Sequence, residues 1–200
     1  MNSLRQGIYA AVLAQAKMHN MRDTILSLID LVTLESHAHR FFENDSRFAV
    51  HDITPAAREF KTQLTTLASF RGLVKVIYLF EDGSVQEFEK LNSLTEYVKN
   101  NKCDLGYGVS VVTYTMGVLQ GRAPMNISKV YIQYMSLPDI TADGYNSWIA
   151  ELYPSVIVEE VLYRLKANTG DNSIRGHMSA GQLARVRLYG ETVVLHLMGA

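Results

Sequence analysis

The sequence has few of the side chains that most often act in catalysis or metal binding, and those few are not spaced so that they could act together. His37 and His39 are two residues apart, so a helix would point them to different sides, and a shared metal ion would need a distorted backbone. Glu159 and Glu160 are adjacent, which places them about 100 degrees apart around a helix. They fit a solvated stripe, or ion pairs with Arg164, better than a catalytic pair. We predict no metal site and no carboxylate dyad.

Motifs for nucleophilic catalysis, phosphate binding and zinc binding are also missing. Gly106 and Gly108 are a fragment of a phosphate-binding pattern, but they precede a predicted strand, so no helix N-terminus would face a phosphate. Cys103 is the only cysteine and cannot form an internal disulfide. No Ser or Cys nucleophile can be matched with a base by any known spacing. The sequence therefore predicts a protein that is not an enzyme and that uses no cofactor.

Composition describes an ordinary globular chain. The 200 residues are 48% hydrophobic and 20% charged, which is enough to bury a core without disulfides or metals. The formal net charge of -1 lacks the basic surplus that a dedicated nucleic-acid binder carries. The apolar run after Ile8 is interrupted by Gln15 and Lys17 before it reaches the length of a signal peptide or membrane span. We expect a protein made in a cytoplasm, without a membrane partner.

Helical periodicity predicts two helices at the start of the chain. Ser3 and Gln6 have the capping-box spacing, so a first helix should occupy residues 4–18. In the second helix, polar residues recur at steps of three and four and form one exposed stripe. The stripe consists of Asp23, Ser27, Asp30, Thr33, His37, Arg40 and Asn44. The residues predicted to face inward are Ile25, Leu28, Leu31, Val32, Leu34 and Phe41.

A β-hairpin is predicted in the middle of the chain. Residues 74–80 are dense in β-branched and aromatic side chains, and residues 85–88 return after a turn. Asp82 and Gly83 supply that turn, since glycine accepts the positive φ of a primed hairpin turn. The other predicted elements are an extended piece at 48–51, a turn at Pro55, a short helix at 91–101, a strand at 109–116, a loop at 120–124 and a strand at 127–135.

The stretch from Val130 to Ala167 has the most distinctive order of signals. Apolar residues alternate at its start, which predicts a strand with one buried face, and Leu137-Pro138 ends that strand. Asp143, Gly144, Asn146 and Ser147 are loop and N-cap residue types before a short apolar piece at residues 148–152, and Pro154 suits the first turn of a helix that follows. In that longer helix apolar residues cover most of the circumference, which predicts burial on two sides.

This order resembles the head-to-tail adaptor (neck) proteins of tailed bacteriophages. The resembling features are a strand with paired tyrosines, Leu-Pro, a loop with Asn, Tyr-Pro, and a helix rich in Leu, Val and Tyr. The resemblance implies a structural virion protein at the neck of the particle, assembled as a ring of twelve copies beneath the portal. It implies as partners the portal protein, tail (nozzle or tail-tube) proteins, further copies of the chain, and double-stranded DNA that passes through without being read.

The predicted fold class is α+β, a helical bundle body with an inserted antiparallel β-hairpin or β-strand subdomain. The body would comprise residues 1–46 and 146–190, and the insertion residues 47–145 with one short helix. Residues 191–200 would form a docking tail. The turn at Asp82 and Gly83 would face the tail of the virus or a neighbouring subunit.

The end of the sequence fits two structures equally well. Residues 177–189 match a last helix, whereas residues 186–197 also match a hairpin of alternating strands. In either case the apolar end suggests docking on the portal or on a neighbouring subunit. The residues predicted to make that interface are Val193, Val194, Leu195, Leu197 and Met198. The alternative function that the sequence leaves open is a cytoplasmic protein-protein interaction or scaffolding module without a virion role.

Overall fold

A computed structural model describes residues 2–16, 20–67, 69–87, 89–90, 111–115, 117–167 and 173–192. The chain divides into two compact units. The helical unit lies within Met1–Asp45 and Leu137–Val194, and the sheet unit lies within Ser46–Ser136. Several predicted features lie outside the described residues: the helix at 91–101, Cys103, Gly106, Gly108 and the docking residues from Val193 to Met198.

Five helices are described in the helical unit. They are α1 (Ser3–Ala16), α2 (Arg22–Ala38), α3 (Trp148–Leu152), α4 (Pro154–Ala167) and α5 (Ile174–Glu191). Their shared core includes Ile8, Val12, Ile29, Ile157 and Leu162. The helix that begins at Pro154 is confirmed, and Ser147, one of the four predicted loop and N-cap residues, caps α3. The first helix is confirmed too, but it already begins at Ser3, and Asn2 Oδ1 accepts the Leu4 N–H.

The second helix is shorter than predicted, and its exposed stripe is partly wrong. α2 ends at Ala38, and the chain then places Phe42 in the core, fully buried against Trp148. Thr33 and His37, two members of the predicted stripe, are also buried. Each has a buried polar partner from a distant part of the chain, which a periodicity argument cannot detect.

The sheet unit is built around one central strand. Its strands are β1 (Ser46–Gln63), β2 (Phe70–Phe80), β3 (Val85–Glu87), β4 (Glu89–Lys90), β5 (Val111–Thr115) and β6 (Val118–Ser136). β6 pairs antiparallel with β1 along one side, and with β5 and then β2 along the other. β3 extends the sheet beyond β2, and β4 adds parallel to β5.

The predicted fold class is wrong. The chain is a mixed α/β protein whose antiparallel sheet has its own hydrophobic core, and it is not a helical bundle with a hairpin inserted. The error arose because β1 and β6 were each divided into shorter pieces. β1 continues through Pro55, and β6 continues through the predicted loop at 120–124.

Both strands continue because the backbone accommodates their irregular residues. The β1–β6 register shifts between Asp52 and Ala57, and a proline without an N–H is tolerated at such an irregularity on an edge strand. In β6, Leu119 is buried just before the predicted loop and Ala123 is buried within it, so this part of the chain contributes side chains to the core. Gly121 pairs with β1 on one side and with β5 on the other.

Gly121 lies next to two aromatic side chains that pack against each other in the core of the sheet unit. Phe60 from β1 and Tyr78 from β2 pack edge to face with 5.2 Å between ring centroids. A Cβ atom at Gly121 would overlap both the Tyr78 hydroxyl and the Phe60 ring. The contact between these two rings therefore requires glycine at position 121.

We expect Gly121→Ala to lower the free energy of unfolding by about 3 kcal/mol, because the added methyl group overpacks this core. Gly7→Ala is the control, since Gly7 lies in α1 with open space around it and should gain up to about 1 kcal/mol in helix propensity. Chemical denaturation followed by circular dichroism measures both. A Gly121→Ala variant as stable as the wild type would show that the Phe60–Tyr78 contact does not require glycine at this position.

Candidate functional site

A buried polar network connects three parts of the helical unit. Asp45 Oδ1 accepts hydrogen bonds from His37 Nδ1 at 2.8 Å and from Trp148 Nε1 at 2.7 Å. On the other side of the imidazole ring, Nε2 lies 2.9 Å from Ser147 Oγ. The side chains of His37 and Asp45 are 1% and 4% exposed. Ser147, the N-cap of α3, also accepts the backbone N–H of Ala150 at 3.1 Å.

Asp45, His37 and Ser147 are connected in the same order as the Asp, His and Ser of a serine-hydrolase catalytic triad, but their surroundings differ. A catalytic serine must reach a substrate carbonyl, and its oxygen must be free to attack. Ser147 is only 2% exposed, and its oxygen accepts an N–H that caps a helix. The network therefore acts as a structural connection between α2, the turn at Glu43–Asp45 and the start of α3.

Part of this network was visible in the sequence. Ser147 was one of four predicted loop and N-cap residues, whereas the partner role of His37 was missed because the two residues are 110 positions apart. The second carboxylate oxygen of Asp45 has no hydrogen-bond partner among the described residues. A buried, half-satisfied carboxylate depends strongly on the donors it does have.

We expect His37→Ala to lower the free energy of unfolding by about 3 kcal/mol, because it leaves Asp45 and Ser147 buried without a shared partner. Ser147→Ala should cost about 1 kcal/mol as a lost helix cap. The exposed His39, whose ring stacks on Tyr189 with 5.7 Å between the ring centroids, provides the matched control, and His39→Ala should cost at most about 1 kcal/mol. Urea denaturation compares the three, and equal effects of the two histidine variants would refute the network's role.

A fluorophosphonate probe, which labels activated serines, should leave Ser147 unmodified in the folded protein, because neither the hydroxyl nor the imidazole reaches solvent. Mass spectrometry after proteolysis locates any adduct. Labelling of Ser147 that disappears in His37→Ala would instead show a catalytic serine. Labelling of the unfolded chain serves as the background control.

The charged residues of α4 form balanced pairs with their neighbours. Arg164 bonds Glu160 at 2.9 Å and also Glu35, and Arg185 bonds Glu160 at 2.8 Å. The hydrogen bond to Glu35 holds the pKa of Arg164 above its usual value. These residues line a cleft of about 420 Å³. Because two cations face two anions there, the cleft is not an anion site.

The neighbouring carboxylate Glu159 has a different partner. It lies 2.7 Å from His177 Nδ1, while His177 Nε2 lies 2.9 Å from Lys166 Nζ. The interpretation of Glu160 as an ion-pair partner of Arg164 is confirmed. The two adjacent carboxylates thus bind separate groups on α5.

A second opening of about 650 Å³ lies between the α3–α4 junction and α5, and we call it the α5 groove. Its apolar lining consists of Leu152, Tyr153, Pro154, Ala180, Leu183 and Ala184, and its polar lining consists of Ser155, Glu159, Arg187 and Glu191. Leu152 is 62% exposed and Leu183 is 72% exposed. At one end Tyr153 donates its hydroxyl hydrogen to Glu191 at 2.8 Å, and this bond raises the pKa of Tyr153.

The sheet unit exposes apolar side chains on one face. Phe48 and Val50 on β1 are 75% and 53% exposed, and Val50 pairs with Tyr131 of β6. Val85 on β3 is 63% exposed. The register places these residues on the same side of the sheet, which we call the outer face. The opposite side carries the buried core residues.

The predicted hairpin turn at Asp82 and Gly83 is confirmed as a turn. Gly83 has φ +83°, and the backbone N–H of Phe80 donates to Ser84 O at 3.0 Å. Ser84 donates from its hydroxyl to Asp82 Oδ1 at 2.6 Å, which lowers the pKa of that carboxyl. The proposed contact of this turn with a neighbour or with the viral tail stays a prediction.

Comparisons with known proteins leave the chain without a family. No protein-family model matches it, and no curated protein is significantly similar to it. Within the described ranges, no group of three metal-ligating side chains comes together. In the same part of the chain, every helix is too short or too polar to cross a membrane.

Proposed function

We propose that this protein is a structural, non-enzymatic component of a tailed-phage virion, a head-to-tail adaptor that forms a ring under the portal. The observation that carries the proposal is the order of features from Val130 to Ala167. β6 ends at Ser136, Leu137-Pro138 follows, Ser147 caps α3, and Pro154 begins α4. The resemblance to adaptors was drawn from these features. The end of the strand and the starts of α3 and α4 lie near their predicted residues, whereas β6 begins nine residues before the predicted strand at 127–135.

The surfaces of the two units support an assembly role. A subunit of a ring needs two different contact surfaces, one for each neighbour. The helical unit carries the partly apolar α5 groove, and on the outer face of the sheet unit the exposed Phe48, Val50 and Val85 lie among the ion pairs Lys129–Asp52 and Lys75–Glu87. Exposed apolar side chains that are bordered by polar residues are typical of contact sites.

Charge supports passive passage of DNA. The chain has 19 basic and 20 acidic residues, so a ring of it would carry no large positive potential. Strong phosphate binding would hold DNA in a channel instead of letting it pass. A near-neutral ring extends the channel under the portal and offers the tail a platform.

The proposal is tested by mixing the purified chain with portal rings of the same virus. Co-sedimentation and electron microscopy should show the chain attached to the portal as a ring. Salt should weaken this attachment little, since the exposed contact surfaces are mainly apolar. A chain that stays monomeric and unbound at high concentration would overturn the adaptor function and would favour an interaction module without a virion role.

One substitution tests whether the outer face takes part. Phe48→Glu should reduce attachment or ring formation at least about tenfold, because it places a charge in an apolar contact. Gln63→Glu adds the same charge at another exposed position of β1 and should leave assembly unchanged. Equal behaviour of the two variants would exclude the outer face from the contact.

A further inference from the structure

The apolar part of the α5 groove is suited to an apolar, extended segment, because the charged residues that also line the groove are paired within the helical unit: Glu159 with His177, and Glu191 with Tyr153 and Arg187. This apolar part consists of Ala180, Ala184 and Pro154 and of the exposed Leu152 and Leu183, which we call its rim. From Ala180 to Glu191 the helix covers about 16 Å. Five extended residues cover about the same length.

The chain itself contains a segment of this kind directly after α5. The residues that follow Thr192 read Val-Val-Leu-His-Leu-Met, with five apolar side chains and no acidic residue. β-branched and aliphatic residues of this type favour an extended backbone. We call residues 193–198 the tail segment.

The local sequence argues against the tail segment returning to the groove of its own chain. Glu191 lies at the end of the groove, and Thr192 after it has an extended backbone with φ −117° and ψ 145°. Filling the same groove would require a tight reversal immediately afterwards. No glycine, proline, asparagine, aspartate or serine occurs between Thr192 and Met198 to form one.

We propose that the tail segment of one copy docks in the α5 groove of a second copy. The groove and the tail segment are different surfaces, so each copy can give one and receive one. Such a heterologous contact repeats from copy to copy and closes into a ring when the rotation allows. This inference rests on the proposed ring, and it identifies the contact between neighbouring subunits.

Two variants that each disable one half of the contact test the proposal. Leu183→Glu places a charge on the groove rim, and Leu195→Glu places one in the tail segment. Each should weaken self-association at least about tenfold, since a buried leucine is replaced by a charge. Gln182→Glu adds the same charge beside the groove, on the exposed side of α5, and should assemble like the wild type.

Mixing the two variants gives the decisive result. The intact tail segment of Leu183→Glu can dock in the intact groove of Leu195→Glu, but no further contact can form. Analytical ultracentrifugation should therefore show a 1:1 heterodimer in the mixture, monomers for each variant alone, and larger species for the wild type. A mixture that stays monomeric, variants that assemble like the wild type, or a wild type that is monomeric at its highest soluble concentration would each overturn the proposal.

The portal experiment separates this inference from the proposed function. If both variants still join the portal as complete rings, the tail contact is wrong and the adaptor function stands. If the variants complement each other but the wild type never binds portal rings, the tail contact stands and the adaptor function falls.

Discussion

A buried hydrogen bond between His37 and Asp45 joins the end of α2 to the turn that follows it, and much of the helical unit depends on this bond. Asp45 also accepts a hydrogen bond from the Trp148 indole N–H, and His37 contacts Ser147, which caps α3. The imidazole ring therefore fixes the start of a helix more than a hundred residues later in the chain. A buried polar group with several partners specifies one arrangement strongly, because any other leaves it unsatisfied.

In the sheet unit β6 has the equivalent organising role. It is paired on both sides, and β1 follows it over nearly its whole length. The buried residues of β6 alternate with exposed ones around Val130 and Ile132, which the sequence pattern predicted correctly. Where the strand passes Gly121, the absence of a side chain lets Phe60 and Tyr78 meet. One strand thus sets both the register and the closest packing of the core.

The sequence correctly predicted those elements that depend on the backbone preferences of a few neighbouring residues. The Pro154 start of α4, the Ser147 cap and the Asp82-Gly83 turn each follow from backbone preferences of a few residues, and the final helix was one of two predicted alternatives. The fold class was missed because Pro55 and Gly121 are turn types that long-range strand pairing overrode. The Asp45–His37–Ser147 network was missed because its members share no sequence pattern.

Among the described residues, several charged and polar groups bond one another within the chain, whereas several large apolar side chains are exposed. Arg164, Glu160 and Arg185 neutralise one another, and the serine that has a triad's neighbours is closed to solvent. By contrast, Leu183 on α5 and Phe48 on β1 are largely exposed. Exposed apolar area is stabilised only when a partner covers it, since water is then released. In the proposed ring the tail segment of each subunit covers the α5 groove of its neighbour, so the assembly depends on this pair of unlike surfaces.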